Sequence, residues 1–188
     1  SYRKLLVAPV TLRSGIEKLI KREIQYAKNG IDAKITAKMN SLVDPEIIKL
    51  LYEASQEGVK IELIIRGMCC LYPQRKGLSE NIIVTSIIGR FLEHSRIFWF
   101  NNDGDPEVFI GSADWMRRNL DRRVEAVTPI EDKKIKKEIK HLLDCYLEAN
   151  KDSWNMQSDG SYTKNQILND KKKYIQEKLI KLYKKEED

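Results

Sequence analysis

Cysteine and histidine are scarce in this chain, and long apolar runs are missing. Each scarcity removes a class of function. Three cysteines, Cys69, Cys70 and Cys145, supply neither a disulfide framework nor a Cys-x-x-Cys pair. With only two histidines, His94 and His141, no structural zinc site is expected, and no metal site is assigned to the chain itself. Such thiol usage fits a reducing, cytoplasmic compartment. No apolar run approaches the ~20 residues that span a bilayer. The opening Ser1-Tyr2-Arg3-Lys4 has no apolar leader core and no initiator Met, as expected of a piece of something larger.

What remains is the composition of a folded domain. With 41% hydrophobic and 33% charged residues over 188 positions, the chain can bury one sizeable core, or at most two small ones. Its net charge of +6 favours polyanionic partners, although much of the excess sits in lysine runs near the C-terminus that read equally as a solvated helix face.

Apolar spacing along the chain alternates between the two periods. Leu5 to Val10 reads as a short strand. Ser14 is placed to cap a helix carrying Ile16, Leu19, Ile20, Ile24 and Ala27, which Asn29-Gly30 stops. Ile31 to Met39 alternates as a strand, and Asp44-Pro45-Glu46 opens a helix that runs to Gly58. Val59 to Ile65 suits a buried strand. Further strands are predicted at Ile82–Ser86, Arg96–Phe100, Glu107–Ile110 and Arg122–Val127, with a turn at residues 101–106. Glu131 to Leu147 returns to helical spacing, Ser153 to Lys164 reads as a polar loop, and Gln166 to Lys185 as a lysine-rich amphipathic helix. Strands and helices alternating in this way predict an α/β layered domain with a mixed sheet flanked by helices.

Chemistry concentrates between Arg66 and Glu125. His94-Ser95-Arg96 is a His-x-Arg triplet, Asn101 lies seven residues after His94, and Gly111-Ser112-Ala113-Asp114 follows. Guanidinium forks match phosphate oxygens, imidazole exchanges protons near neutrality, and Gly-Ser turns present amide donors. The pattern resembles the His-x-Lys motif of the phospholipase D-like superfamily, with Arg96 for Lys, Asn101 for Asp and Asp114 for Asn.

A closer resemblance is carried by Lys38-Met39-Asn40-Ser41-Leu42-Val43-Asp44, Arg66-Gly67-Met68-Cys69-Cys70-Leu71, Gly77-Leu78-Ser79-Glu80-Asn81-Ile82, Gly89 through Arg96, Gly111 through Met116, and Asn119 through Glu125. In order and without a large gap, these look like the C-terminal catalytic domain of the ATP-dependent polyphosphate kinase 1 family. The match covers about Leu5 to Tyr162, which sets the expected division: residues 1–163 as the polyphosphate kinase C-terminal, phospholipase D-like domain, and 164–188 as a lysine-rich helix or tail. The resemblance implies reversible transfer of the ATP γ-phosphate to polyphosphate. It also implies that Arg66 and His94 contact nucleotide phosphates, with His94 as proton donor or stabiliser of the phosphorus centre. Residue chemistry extends the same pocket to Lys38, Asn40, Arg90, Arg96 and Ser112.

Other features of the family are absent from this stretch. There, the phosphorylated histidine, the magnesium-binding groups and a nucleotide-contacting tyrosine belong to a preceding domain. His141 sits on an amphipathic helix and reads as structural. The expected partners are therefore ATP or ADP with Mg2+, polyphosphate, and the preceding domains of a longer, homo-oligomeric enzyme, which is membrane-associated in some members; no specific nucleic acid is expected. Met116-Arg117-Arg118 departs from the family's Met-Pro-Arg, a change expected to alter a turn without touching the site. Two other readings stay open: a phosphodiesterase built on paired His94 motifs, and a non-catalytic polyanion-binding module.

Overall fold

The computed structural model describes residues 4–148, 151–165 and 174–184. Nine strands form one sheet in the order β1-β7-β6-β5-β2-β3-β4-β8-β9. They are β1 (Leu6–Ala8), β2 (Lys34–Met39), β3 (Lys60–Ile65), β4 (Ile82–Ile87), β5 (Ile97–Phe100), β6 (Glu107–Gly111), β7 (Glu125–Ile130), β8 (Ser153–Met156) and β9 (Tyr162–Lys164). Strands β2, β3 and β4 run parallel, and every other pairing is antiparallel.

Helices cover both faces. On one side α1 (Leu12–Lys28) and α2 (Pro45–Gln56) pack on Ile35, Ala37, Met39, Leu63, Phe98 and Phe109, which form the larger core. On the other, α4 (Lys133–Leu147) and α5 (Ile175–Lys184) enclose a smaller cluster of Ile64, Ile87, Ile97, Trp99 and Val108. The β-branched and aromatic runs of the central strands suit this burial on two faces. A short helix, α3 (Arg117–Asp121), follows β6. Arg117 occupies its first position, where proline also fits well, so the departure from Met-Pro-Arg leaves the helix intact.

Some local expectations differ from the fold. Ser14 lies inside α1, its hydroxyl bonded to the Thr11 carbonyl, because the helix begins two residues earlier at Leu12. Residues 153–164 are a β-hairpin rather than a polar loop. Buried Ser153 and Met156 anchor β8 against β4, and side-chain amides such as Asn155 and Asn165 bond to each other across the polar edge. Of the final helix, residues 175–184 are α5; 166–173 and 185 lie outside the described residues.

The sheet order matters most at one edge. The carboxyl ends of β2, β3, β4 and β6 and the amino ends of β5 and β7 all emerge there. Between β4 and β5 the chain must cross β3 and β2, about 14 Å at the usual strand spacing. Residues 88–96 make this crossing along that edge.

Asp44 ties the helices beneath it. Its carboxylate caps α2 by accepting the Ile47 N–H at 3.0 Å and takes two bonds from the Arg13 guanidinium at 3.0 and 2.6 Å. Arg13 also grips Asp121 of α3. Burial pushes the Asp44 carboxyl upward, but Arg13 and Ile47 outweigh it and hold the group below the usual carboxylate range. Its folded value is thus depressed, so its contribution is present above the unfolded value of about 3.9 and is lost as pH falls through the folded value. Asp44→Ala is expected to cost about 2–4 kcal/mol in urea unfolding at neutral pH, the cap and the buried partner together. The difference between variant and parent should shrink as pH drops below about 4.

Candidate functional site

Three connections leave that edge side by side and are stitched together. Leu42, after β2, bridges both Cys69, after β3, and Trp115, after β6. Gly67 donates its N–H to the Asn40 carbonyl at 2.7 Å, and a side chain at Gly67 would meet that oxygen at 2.9 Å. Glycine lets the Arg66 loop lie this close. Trp115 is fully buried and stacks on Phe98 at 5.2 Å, fixing the residue next to Asp114.

A continuous chain of polar contacts follows. Arg66 donates from Nε and Nη2 to Asn40 Oδ1, both at 3.2 Å. The Asn40 N–H donates to Asp114 Oδ1 at 2.9 Å. Arg96 reaches the same carboxylate through Nε at 3.1 Å and Nη2 at 3.3 Å. The remaining nitrogen of Arg96, Nη1, lies 3.0 Å from His94 Nδ1 and 3.1 Å from the His94 carbonyl. The same Nη1 lies 3.5 Å from Nε2, so the guanidinium spans both ring nitrogens and braces the imidazole. The imidazole itself is exposed.

An open cleft of about 400 Å³ runs between Arg66 and residues 87–92, including Arg90. Among the described residues, neither Arg66 nor Arg90 forms an ion pair with a carboxylate. Both guanidiniums are available to an incoming anion.

Of the residues expected in the phosphate pocket, the structure gathers Arg66, Asn40, Arg96 and His94 into this chain and sets Arg90 beside Arg66. Lys38 is different. Its side chain is 2% exposed on the α4 side of the sheet, where it donates to Ser95 Oγ at 2.8 Å and pairs with Glu93 at 3.1 Å. Burial lowers the Lys38 pKa, while Glu93 works against that fall. Burial works to raise Glu93, yet bonds from Gln176, Lys38 and Tyr146 hold it below the ordinary range. Lys38 therefore underpins the β4–β5 connection. Ser112 also faces elsewhere: its hydroxyl donates to Glu125, which Asn119 binds too, and it accepts the Ala126 N–H at 3.3 Å. Asn101 lies at the far end of β5, its amide on the Asp32 carbonyl. Burial pushes the Cys69 thiol up to about 11, which rules out a ready thiolate nucleophile.

Sequence reasoning missed the centre of the arrangement, Asp114, having weighed it only as a substitution for Asn. Its position two residues after Ser112 was the available signal, since a carboxylate offers an arginine fork two oxygens and a neutralising charge where an amide offers one neutral oxygen. Glu93, Tyr146 and Gln176 carried no motif.

The family model for polyphosphate kinase C-terminal domain 2 matches residues 5–176. The chain belongs to this family. It is 65% identical over 184 residues to a polyphosphate kinase of Prochlorococcus marinus, covering 97% of this chain and 26% of that protein. The polyphosphate kinase structure from Porphyromonas gingivalis superposes over 100% of this chain and 29% of its own, with a TM-score of 0.94 and 39% identity. Nuc of Salmonella typhimurium, a phospholipase D family member, matches 82% of this chain and 97% of its own at a TM-score of 0.59 and 15% identity, which establishes the shared fold alone. The domain thus has the phospholipase D-like fold, a mixed sheet flanked by helices, and spans about a quarter of the polyphosphate kinase of Prochlorococcus marinus.

Arg96→Lys keeps the charge of this polyphosphate kinase domain but loses the fork on Asp114 and the contact with His94. It is expected to lower stability by about 1–3 kcal/mol in urea unfolding. An unchanged midpoint would mean that Asp114 finds other donors.

Proposed function

We propose that this chain is the phosphate-gripping half of a polyphosphate kinase site, serving reversible transfer of the ATP γ-phosphoryl group to polyphosphate. The observation that carries the reading is the pair of unneutralised guanidiniums, Arg66 and Arg90, on one cleft, joined through Asn40, Asp114 and Arg96 to an oriented His94.

The roles follow from the contacts. Arg66, held by neutral Asn40, keeps its full charge for phosphate oxygens. Arg90 adds a second cation across the cleft. Asp114 fixes the plane of Arg96, which in turn fixes the imidazole. The exposed imidazole of His94 is suited to donate a ring N–H to an oxygen on which negative charge grows as the phosphoryl group moves. Such a site lowers the barrier by placing charge and protons in advance rather than by covalent chemistry.

Magnesium would accompany the nucleotide. Among the described residues no group of three or more His, Cys, Asp or Glu side chains is placed to hold a cation. Asp114, the carboxylate nearest His94 in the contact chain, is taken up by Arg96 and Asn40. These residues do not fit a resident ion.

The longer relatives imply further domains of the same enzyme. Exposed Val10, Met68, Ile88, Leu92 and Val124 all stand on connections at the site edge, forming an apolar rim that suits such a domain.

Calorimetric titration of Mg-ATP and of short-chain polyphosphate into the chain tests the reading. Saturable binding is expected, weakened roughly tenfold or more by Arg66→Ala, as for loss of a charge-assisted bidentate contact. Binding that is indifferent to Arg66→Ala but collapses with salt would instead favour a polyanion-binding module acting through its lysines.

A further inference from the structure

The segment that carries His94 has no secondary structure of its own, yet it is held at several points from below. Glu93 and Ser95, the two neighbours of His94, turn inward, and one ammonium grips both: Lys38 Nζ lies 3.1 Å from Glu93 Oε2 and 2.8 Å from Ser95 Oγ. Tyr146 of α4 donates its hydroxyl to the same Glu93 oxygen at 2.8 Å.

The other anchor is Gln176, in the first turn of α5 and 6% exposed. Its Oε1 accepts the Phe91 N–H, and its Nε2 donates to the Phe91 carbonyl and to Glu93 Oε1, all at 2.8 Å. One side-chain amide thus satisfies both backbone groups of Phe91 and the second oxygen of Glu93. Only one orientation of the amide does this, because Phe91 N–H needs an acceptor while the other two partners need donors. Asp152 adds a brace: its carbonyl accepts the Ile88 N–H at 3.0 Å, and its carboxylate accepts the Ile175 N–H at 3.3 Å. Gly89 lies so close that a side chain there would sit 2.6 Å from Gln176 Oε1 and 2.9 Å from Asp152 Oδ2.

We infer that Gln176 is a positioning residue for His94, acting with Glu93 and Lys38 as a clamp through which α5 holds the connection that carries the imidazole. The inference rests on the reading of His94 as a group that meets the transferring phosphate. Neither Gln176 nor Lys38 touches substrate in this account. Lys38 holds both Glu93 and Ser95, and Arg96 meets the ring of His94 between them. α5 thereby belongs to the site rather than trailing from it.

The test separates the clamp from the function. Gln176→Glu has the same shape but replaces a donor with an anion facing Phe91 O and Glu93. Gln176→Ala removes the bonds without adding charge. In the isolated chain, with its two histidines as the only imidazoles, 15N NMR reads the His94 ring directly. The parent should show one well-defined set of His94 ring signals. Both variants should shift or broaden the His94 signals, while Lys178→Ala, on the same helix, leaves them in place. Unchanged His94 signals in both Gln176 variants overturn the clamp, whatever activity does.

In the full-length enzyme, Gln176→Glu should lower kcat roughly 10- to 100-fold with KM for ATP little changed, the scale of a misplaced catalytic group. In a His94→Ala background it should cost little more, because its effect passes through the imidazole. A loss of the same size in both backgrounds would overturn the inference. Should His94→Ala itself stay fully active, the proposed function fails, and the ring signals still decide whether the clamp exists.

Discussion

One buried carboxylate brings the site into being. Asp114 accepts from the Asn40 backbone and from two nitrogens of Arg96, so the connections after β2 and β6 and the residue before β5 converge on two oxygens. Without it, the Arg96 guanidinium would be left partly buried with its fork unmatched. Such a charge is costly to leave alone, by several kcal/mol in ordinary cases. The pair also leaves Asp114 few lone pairs for any other cation. Its effect on the cleft is therefore to organise positive charge without cancelling that of Arg66.

Gathering cations in this way works against the fold, since like charges repel most strongly where water is thin. The domain offsets the repulsion by pairing. Lys38, which feels both Arg66 and Arg96, is matched to Glu93. Arg13, further below, is divided between Asp44 and Asp121. The arginines facing the cleft are left for an anion to complete. An anion-binding surface of this kind is held by the scaffold before the anion arrives, which is what preorganisation requires.

Much of the architecture was legible in the residues. The period of two in Lys34–Met39 and of about 3.6 in Lys133–Leu147, and the Asp44-Pro45 start, each led to the right element. The hairpin at 153–164 was not, because its edge strands are polar and draw their order from side-chain amides and from β4, which local pattern does not display. That Arg66, His94 and Arg96 belong to one cluster was legible, because their types and motifs single them out together. Lys38 was grouped with them and serves another end, since its direction is set by the face of β2 on which it falls. Gln176 was invisible for the converse reason: an unremarkable amide gained its place from a contact spanning 85 residues to Phe91.

The sheet has two ends, and the candidate site lies at one of them. At the other, the turn at Asn102–Gly104 caps the β5–β6 hairpin with exposed Asp103, Gly104 and Asp105. Four residues of β5 separate it from the His94 connection, about 13 Å of strand. That turn is a natural mooring point. A fluorophore, an affinity tag or a surface tether fixed there would hold the domain with its cleft facing freely outward.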